Sequence, residues 1–182
     1  MKTLQLIQSW WMDMTMDVRL LRIDSRLLHG QVTTNWAKAV KVNRILIVSD
    51  RVAQDRTRKT LIIQAAPPGI STNVITVEKM IRLYHDPRFD VLKPMILVED
   101  PVDARRVVEG SGIKIDSINI GAISFDNTRV MVTDAIAVNA ADVEAFKWFH
   151  DRGIKLDVRK VSNDSSKNLW KSLSEKGLVR SK

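Results

Sequence analysis

The chain has 182 residues, 45% hydrophobic and 27% charged, with 29 Lys+Arg against 21 Asp+Glu for a formal net charge of +8 and no cysteine. That balance belongs to a folded globular domain, and the missing cysteine excludes disulfides, a thiolate zinc site and a cysteine nucleophile. Apolar runs such as Ile45–Val48 and Met95–Val98 fall far short of the ~20 residues of a membrane span, and no cleavage pattern follows the first residues, so a cytoplasmic protein is expected.

Residues 1–16 fit no periodic pattern and are expected to form a disordered N-terminal extension, with the domain occupying 17–182. Val18 to Ile23 reads as a strand. From Gly30 onward, Val32, Trp36 and Ala39/Val40 recur at the spacing of an amphipathic helix. Arg44 to Val48 is a continuous apolar strand, as expected where helices cover both sheet faces. Val52 to Ala66 reads as one helix, stopped by Pro67-Pro68-Gly69. A short strand, Val74 to Val77, leads into a helix from Glu78 to His85.

Met95 to Val98 is a second buried strand. Asp100-Pro101 then opens a helix with an N-cap acceptor and a proline at the first helical position, and that helix ends at Gly110. Ser117 to Gly121, Arg129 to Val132 and Ala135 to Val138 read as strands. Asn139 caps a helix carrying Val143, Phe146 and Phe149, closed by Gly153. Ile154 to Val158 alternates like an edge strand with one wet face. A polar joint, Ser162 to Ser166, precedes a final helix with Leu169, Trp170 and Leu173. Strand–helix alternation of this kind predicts an α/β fold: a mainly parallel β-sheet with helices on both faces, in a single domain. Function in such folds gathers beyond the carboxyl ends of the strands.

The sequence holds no Gly-rich nucleotide loop, no nucleophile elbow and no zinc-helix motif, and neither a cofactor nor a metal is expected. The basic residues are spread without a run of five, and clusters such as Arg56/Arg58/Lys59 read as solvated helix faces, so no nucleic acid is expected as a partner. Of the three histidines, His85 and His150 fall in the last turns of predicted helices, where an imidazole complements the dipole. His29 differs by its address. It lies between the first strand and the first helix, in Arg22-Ile23-Asp24-Ser25-Arg26-Leu27-Leu28-His29-Gly30-Gln31. Helix-start N–H groups bind anions, and Gly30 permits close backbone approach. Arg22 and Arg26 add guanidinium groups. His29 is therefore a candidate phosphohistidine, beside the alternative of an ordinary loop histidine.

This string resembles the enzyme IIB component of the mannose/fructose/sorbose family of the bacterial sugar phosphotransferase system. Val48-Ser49-Asp50, Ala66-Pro67-Pro68-Gly69, Ile120-Gly121 and Arg159-Lys160-Val161-Ser162 match it in the right order, over about Asp17 to Lys176. The resemblance departs at Ser25, where many relatives carry a second Asp, and residues 1–16 have no counterpart. It implies a cytoplasmic phosphotransferase, associated peripherally with a membrane permease. Its histidine, here His29, would take a phosphoryl group on Nδ1 from a IIA donor and pass it to a sugar at the IIC and IID components. Arg26 is the first choice to clamp a phosphoryl oxygen and Arg22 the second, with the N–H groups of Gly30 and Gln31 as further donors. Asp24 would orient Arg26 or the imidazole, or else cap the nearby helix. Asp50 and the Pro67-Pro68-Gly69 turn would line the site or serve only as loop structure, and Arg51 and Lys93 are expected to extend a basic docking rim. Two other readings remain: a regulatory subunit controlled by phosphorylation of His29, and a basic nucleic-acid-binding protein.

Overall fold

The computed structural model describes residues 16–30 and 35–180. Its centre is a seven-stranded sheet in the order β3-β2-β4-β1-β5-β8-β9. Its strands are β1 (Leu20–Asp24), β2 (Arg44–Val48), β3 (Ser71–Ile75), β4 (Pro94–Val98), β5 (Ser117–Ala122), β8 (Lys155–Val158) and β9 (Lys167–Asn168), while β6 (Val130–Met131) and β7 (Ala137–Val138) form a separate antiparallel ribbon. All pairings in the main sheet are parallel except β8 with β9. The helices are α1 (Ala37–Ala39), α2 (Asp50–Gln54), α3 (Arg56–Gln64), α4 (Val77–Tyr84), α5 (Pro101–Ser111), α6 (Ala140–Asp151) and α7 (Leu169–Glu175).

The apolar runs explain the layers. Along β2 and β4, Leu46, Val48, Ile96 and Val98 pack on one face with Met80 of α4, Val107 of α5, Phe146 of α6 and Leu173 of α7. Their neighbours Ile45, Ile47, Met95 and Leu97 pack on the other with Ala37, Val52 and Ile62 of α1, α2 and α3. Period-two side chains thus feed two cores from one strand, each large aliphatic contributing about 1.5–3 kcal/mol on burial.

Four sequence expectations change. The single helix over 52–66 is two helices, because Asp55 takes an extended conformation (φ −91°, ψ 101°) and its side chain accepts from Arg58 N. The strand expected at 74–77 runs earlier, since Thr76 caps α4 through its hydroxyl. Ile154–Val158 is no wet edge: β9 pairs with β8, and Asp157 is buried against Arg159. Arg58 leaves the solvated face to bond Glu99 at 2.7 Å. The expected extension falls on residues 1–15 outside the described residues, whereas Met16 is buried in the core. The helix expected from Gly30 likewise crosses residues 31–34, which are not described.

Connectivity prepares a cleft. After β1 the chain crosses to β2 on one side of the sheet, and after β5 it crosses to β8 on the other. Right-handed crossovers put those two connections on opposite faces, so the loops following the adjacent strands β1 and β5 diverge. The β6–β7 ribbon then folds back over the end of β5, held by Ile123 N to Ala135 O at 2.9 Å and Ala137 N to Ile123 O at 3.0 Å.

Candidate phosphoryl-acceptor site at the β1–β5 cleft

Asp24 ends β1 and is fully buried. Its Oδ1 accepts from Arg26 N (3.2 Å) and Arg26 Nε (3.0 Å). Its Oδ2 takes Arg22 Nη2 (2.8 Å) and Arg26 Nη2 (3.1 Å), and lies 3.3 Å from His29 Nε2. Burial works to raise the Asp24 pKa, but the hydrogen bonds from Arg26 and the charge of Arg22 outweigh it and hold the carboxyl below its ordinary value. An ionised Asp24 can only accept a hydrogen bond, so Nε2 carries the ring proton and donates it, and that tautomer puts the ring lone pair on Nδ1.

The turn that presents His29 is pinned by its own apolar residues. Leu27 sits at φ +56°, a left-handed conformation that costs a non-glycine residue about 1 kcal/mol or more. Complete burial of its side chain, with Leu28 beside it in the same core, offsets that cost. The hydrogen bond from Leu27 N to Asp24 O (2.8 Å) closes the turn. His29 follows directly, 29% exposed, with helical Gly30 after it.

Arg22 lies one layer below. Its side chain is 0% exposed, with Nη1 on Asn119 Oδ1 and on Arg159 O (3.1 Å), and Nη2 on Asp24 and on Lys160 O (3.3 Å). Burial lowers its pKa despite the opposing charge of Asp24. Direct clamping of a phosphoryl oxygen by Arg22 is therefore corrected: its guanidinium props Asp24 and the 159–160 backbone from beneath. Arg26, 52% exposed, lines the cleft while its Nε and Nη2 bond Asp24. Asp24 contacts both Arg26 and the imidazole, and its carboxylate caps no described helix.

A cavity of about 570 Å³ opens here, lined by Arg26, His29, Gly30, Gly121 to Phe125, Met131, Asp134, Ala135, Lys160 and Val161. The site draws together Arg22, Asp24, Arg26, His29 and Gly30, while Gln31 lies outside the described residues. Asp50 is elsewhere: it accepts from Val77 N (2.9 Å) and Arg106 (2.9 Å), tying α2 to the start of α4. Pro67, Pro68 and Gly69 do not line this cavity. They form a turn before β3, closed by Ile70 N to Pro67 O (3.3 Å) with Gly69 at φ +81°. A turn entering a parallel strand lies at the amino ends of the sheet, opposite the cleft. Lys93, just before β4, shares that end.

Gly121 and Lys160 stand in the sequence only as motif matches and Trp36 only as a helix-face residue, and nothing local marks Asn119 or Ser124. A Cβ on Gly121 would fall on the Arg22 guanidinium and within 2.6 Å of Asp24 Oδ2, so only glycine lets β5 close over the pair. Trp36 is buried, its ring 5.7 Å from Arg22 Cζ and 5.1 Å from Arg159 Cζ, and its Nε1 donates to Lys160 O (3.2 Å). Ser25 and Ser124 hydroxyls bond each other at 2.7 Å, joining the two loops across the cleft. Among the described residues, no group of three or more His, Asp or Glu is placed to hold a metal ion.

Residues 18–182 match the model of the PTS system sorbose subfamily IIB component. The chain is 46% identical over 160 residues to the mannose-specific EIIAB component of Escherichia coli K12, covering 88% of this chain and 49% of that protein, so it spans about half the length of that relative. The fructose-specific EIIB component of Bacillus subtilis is 38% identical, over 84% of this chain and 93% of its own. The crystal structure of the IIBSor domain of the Klebsiella pneumoniae sorbose permease superposes with a TM-score of 0.84 at 38% identity, covering 88% of this chain and 98% of that one.

Proposed function

The chain belongs to the sorbose-subfamily IIB components of the phosphotransferase system, and from that premise we propose that it is a phosphocarrier: His29 accepts a phosphoryl group from a IIA component and delivers it to a sugar entering through the IIC and IID permease components. The observation that carries this reading is the Nε2 contact of His29 with a buried, ionised Asp24, beside the half-exposed Arg26 in an open cleft. The Nδ1 lone pair attacks phosphorus while the bond from phosphorus to the donor imidazole breaks. The His29 ring becomes positive as Nδ1 bonds phosphorus, and the Asp24 carboxylate, already holding Nε2–H, offsets that charge. Arg26 offers its outer N–H groups to the phosphoryl oxygens. Transfer between two imidazoles is nearly symmetric, so positioning and charge stabilisation are the protein's whole contribution. In the second leg a sugar hydroxyl attacks phosphorus and gives up its proton to solvent, the P–N bond breaks, and the neutral ring is restored with its own proton still on Nε2.

The test is incubation with phosphorylated IIA, followed by acid-lability and site mapping of the product. His29→Ala abolishes labelling and keeps the fold, since a partly exposed loop imidazole carries no core packing. His85→Ala and His150→Ala are labelled normally. Normal labelling of His29→Ala would sink the assignment. Label that enters His29 but never reaches sugar on membranes bearing IIC and IID would support a regulatory subunit instead.

A further inference from the structure

We propose that Lys160 is a second cationic ligand of a phosphoryl group on His29, reaching it by exchanging its ion pair with Asp134. The inference rests on the phosphocarrier reading and assigns a residue that the reading does not supply. Lys160 and Asp134 both line the His29 cavity, and both also line a second cavity of about 370 Å³. Their ion pair, at 3.0 Å, is thus common to the linings of the two spaces.

The two halves of Lys160 are held very differently. Its backbone is fixed three ways: its carbonyl accepts from Trp36 Nε1 (3.2 Å) and Arg22 Nη2 (3.3 Å), and its N–H donates to Asp164 (3.0 Å). Arg22 is the same residue that props Asp24, so one buried guanidinium holds both the Asp24 carboxylate beside His29 and the Lys160 carbonyl. The side chain, by contrast, is tied among the described residues by one pair whose members are 60% and 80% exposed, and such pairs exchange readily. A phosphoryl group carries up to about two negative charges and three acceptor oxygens, a stronger partner for an ammonium than one exposed carboxylate. Asp134 is meanwhile repelled by the same dianion. Arrival of the phosphoryl group therefore favours moving Lys160 off Asp134 and into the cleft opposite Arg26.

The competing role is a staple, in which the pair only fastens the β6–β7 ribbon to the loop after β8. A staple is broken equally from either end, so Lys160→Gln and Asp134→Asn would then act alike. Exchange predicts opposite effects, because one substitution removes the phosphoryl ligand and the other releases it. The phosphoryl group is installed with phosphoramidate, whose P–N bond breaks as the bond to His29 forms, releasing ammonia. His29→Ala supplies the background from His85 and His150. The readout is the phosphorus NMR titration of the phosphoryl group. Lys160→Gln raises its proton affinity by about fivefold and Asp134→Asn lowers it by about two- to threefold, the scale of one exposed ion pair. In the Lys160→Gln background the effect of Asp134→Asn shrinks to less than half, since there is no ammonium left to release. Shifts of the same sign, no shift, or strictly additive shifts overturn the exchange. A His29 that phosphoramidate cannot label also overturns it. One that takes phosphoramidate label but none from phosphorylated IIA defeats the phosphocarrier reading alone.

Discussion

At the scale of single residues, Asp24 is the hinge of the site, and what surrounds it decides which substitutions are tolerated. Two glycines near it make the contrast. Gly121 lies against the buried Arg22–Asp24 pair, whereas a Cβ on Gly30 would meet none of the described residues within 4 Å. The guanidinium under Gly121 cannot give way, because Asn119, Asp24 and the 159 and 160 carbonyls hold it from several sides. Gly121→Ala therefore costs about 1–3 kcal/mol, the usual scale of overpacking. Gly30→Ala, in a helical segment, leaves stability unchanged or raises it by up to about 1 kcal/mol. Urea midpoints of the two variants decide the matter: a Gly121→Ala protein as stable as the parent would mean that β5 shifts without cost. The site was legible as far as one local string reached, since Asp24, Arg26 and His29 lie within six residues. The rest was not. Arg22 pairs with Asn119 97 positions away and with Lys160 138 positions away, and no periodicity reports such distances. Arg22 also looked like a surface clamp because arginine is rarely buried, and only the acceptors from β5 and the loop after β8 reveal why it is.

At the scale of elements, the buried strands were legible because their apolar runs are local and two-sided. β9 was missed because two residues, Lys167-Asn168, carry no pattern and pair only through β8. The break between α2 and α3 was missed for a different reason. The apolar spacing continues through it, and an aspartate on a helix surface is unremarkable until its side chain is seen to cap. Ser49 caps α2 and Asp55 caps α3, and between them Arg51 and Arg58 converge on Glu99. Burial alone would raise the Glu99 pKa, but Ser49, Arg51 and Arg58 together hold it below the ordinary value. One straight helix would lose the cap on Arg58 N and redirect its guanidinium. Asp55→Ala is therefore expected to destabilise the fold by about 1 kcal/mol, as loss of an N-cap does. Denaturation followed by circular dichroism tests this. A gain in helical signal at unchanged stability would show that the break is dispensable.

At the scale of the whole molecule, the net charge of +8 matters through where the charges stand relative to the sheet. The carboxyl ends of the strands hold Arg26 and Lys160 at the cleft, while Lys93 stands at the amino ends, on the far side from His29. Arg51, expected in the same rim, does not line the cleft and pairs instead with Glu99 at 2.8 Å. A donor bringing a phosphohistidine to the cleft therefore meets a small basic rim rather than a uniformly positive surface. Electrostatic attraction of that kind acts chiefly on the association rate. The Debye length falls from about 10 Å at 0.1 M salt to about 3 Å at 1 M, so exposed charges lose their reach while partly buried donors are screened much less. The bimolecular rate of transfer from phosphorylated IIA is expected to fall as salt rises, with the step inside the docked complex little changed. Position separates this from a global effect of the +8. Lys160→Gln flattens the salt dependence, and Lys93→Gln, which removes the same charge from the opposite end, leaves it as in the parent. Stopped-flow transfer rates across a salt series read both. Equal flattening by the two substitutions would mean that total charge steers the encounter and that the rim at the cleft has no part of its own.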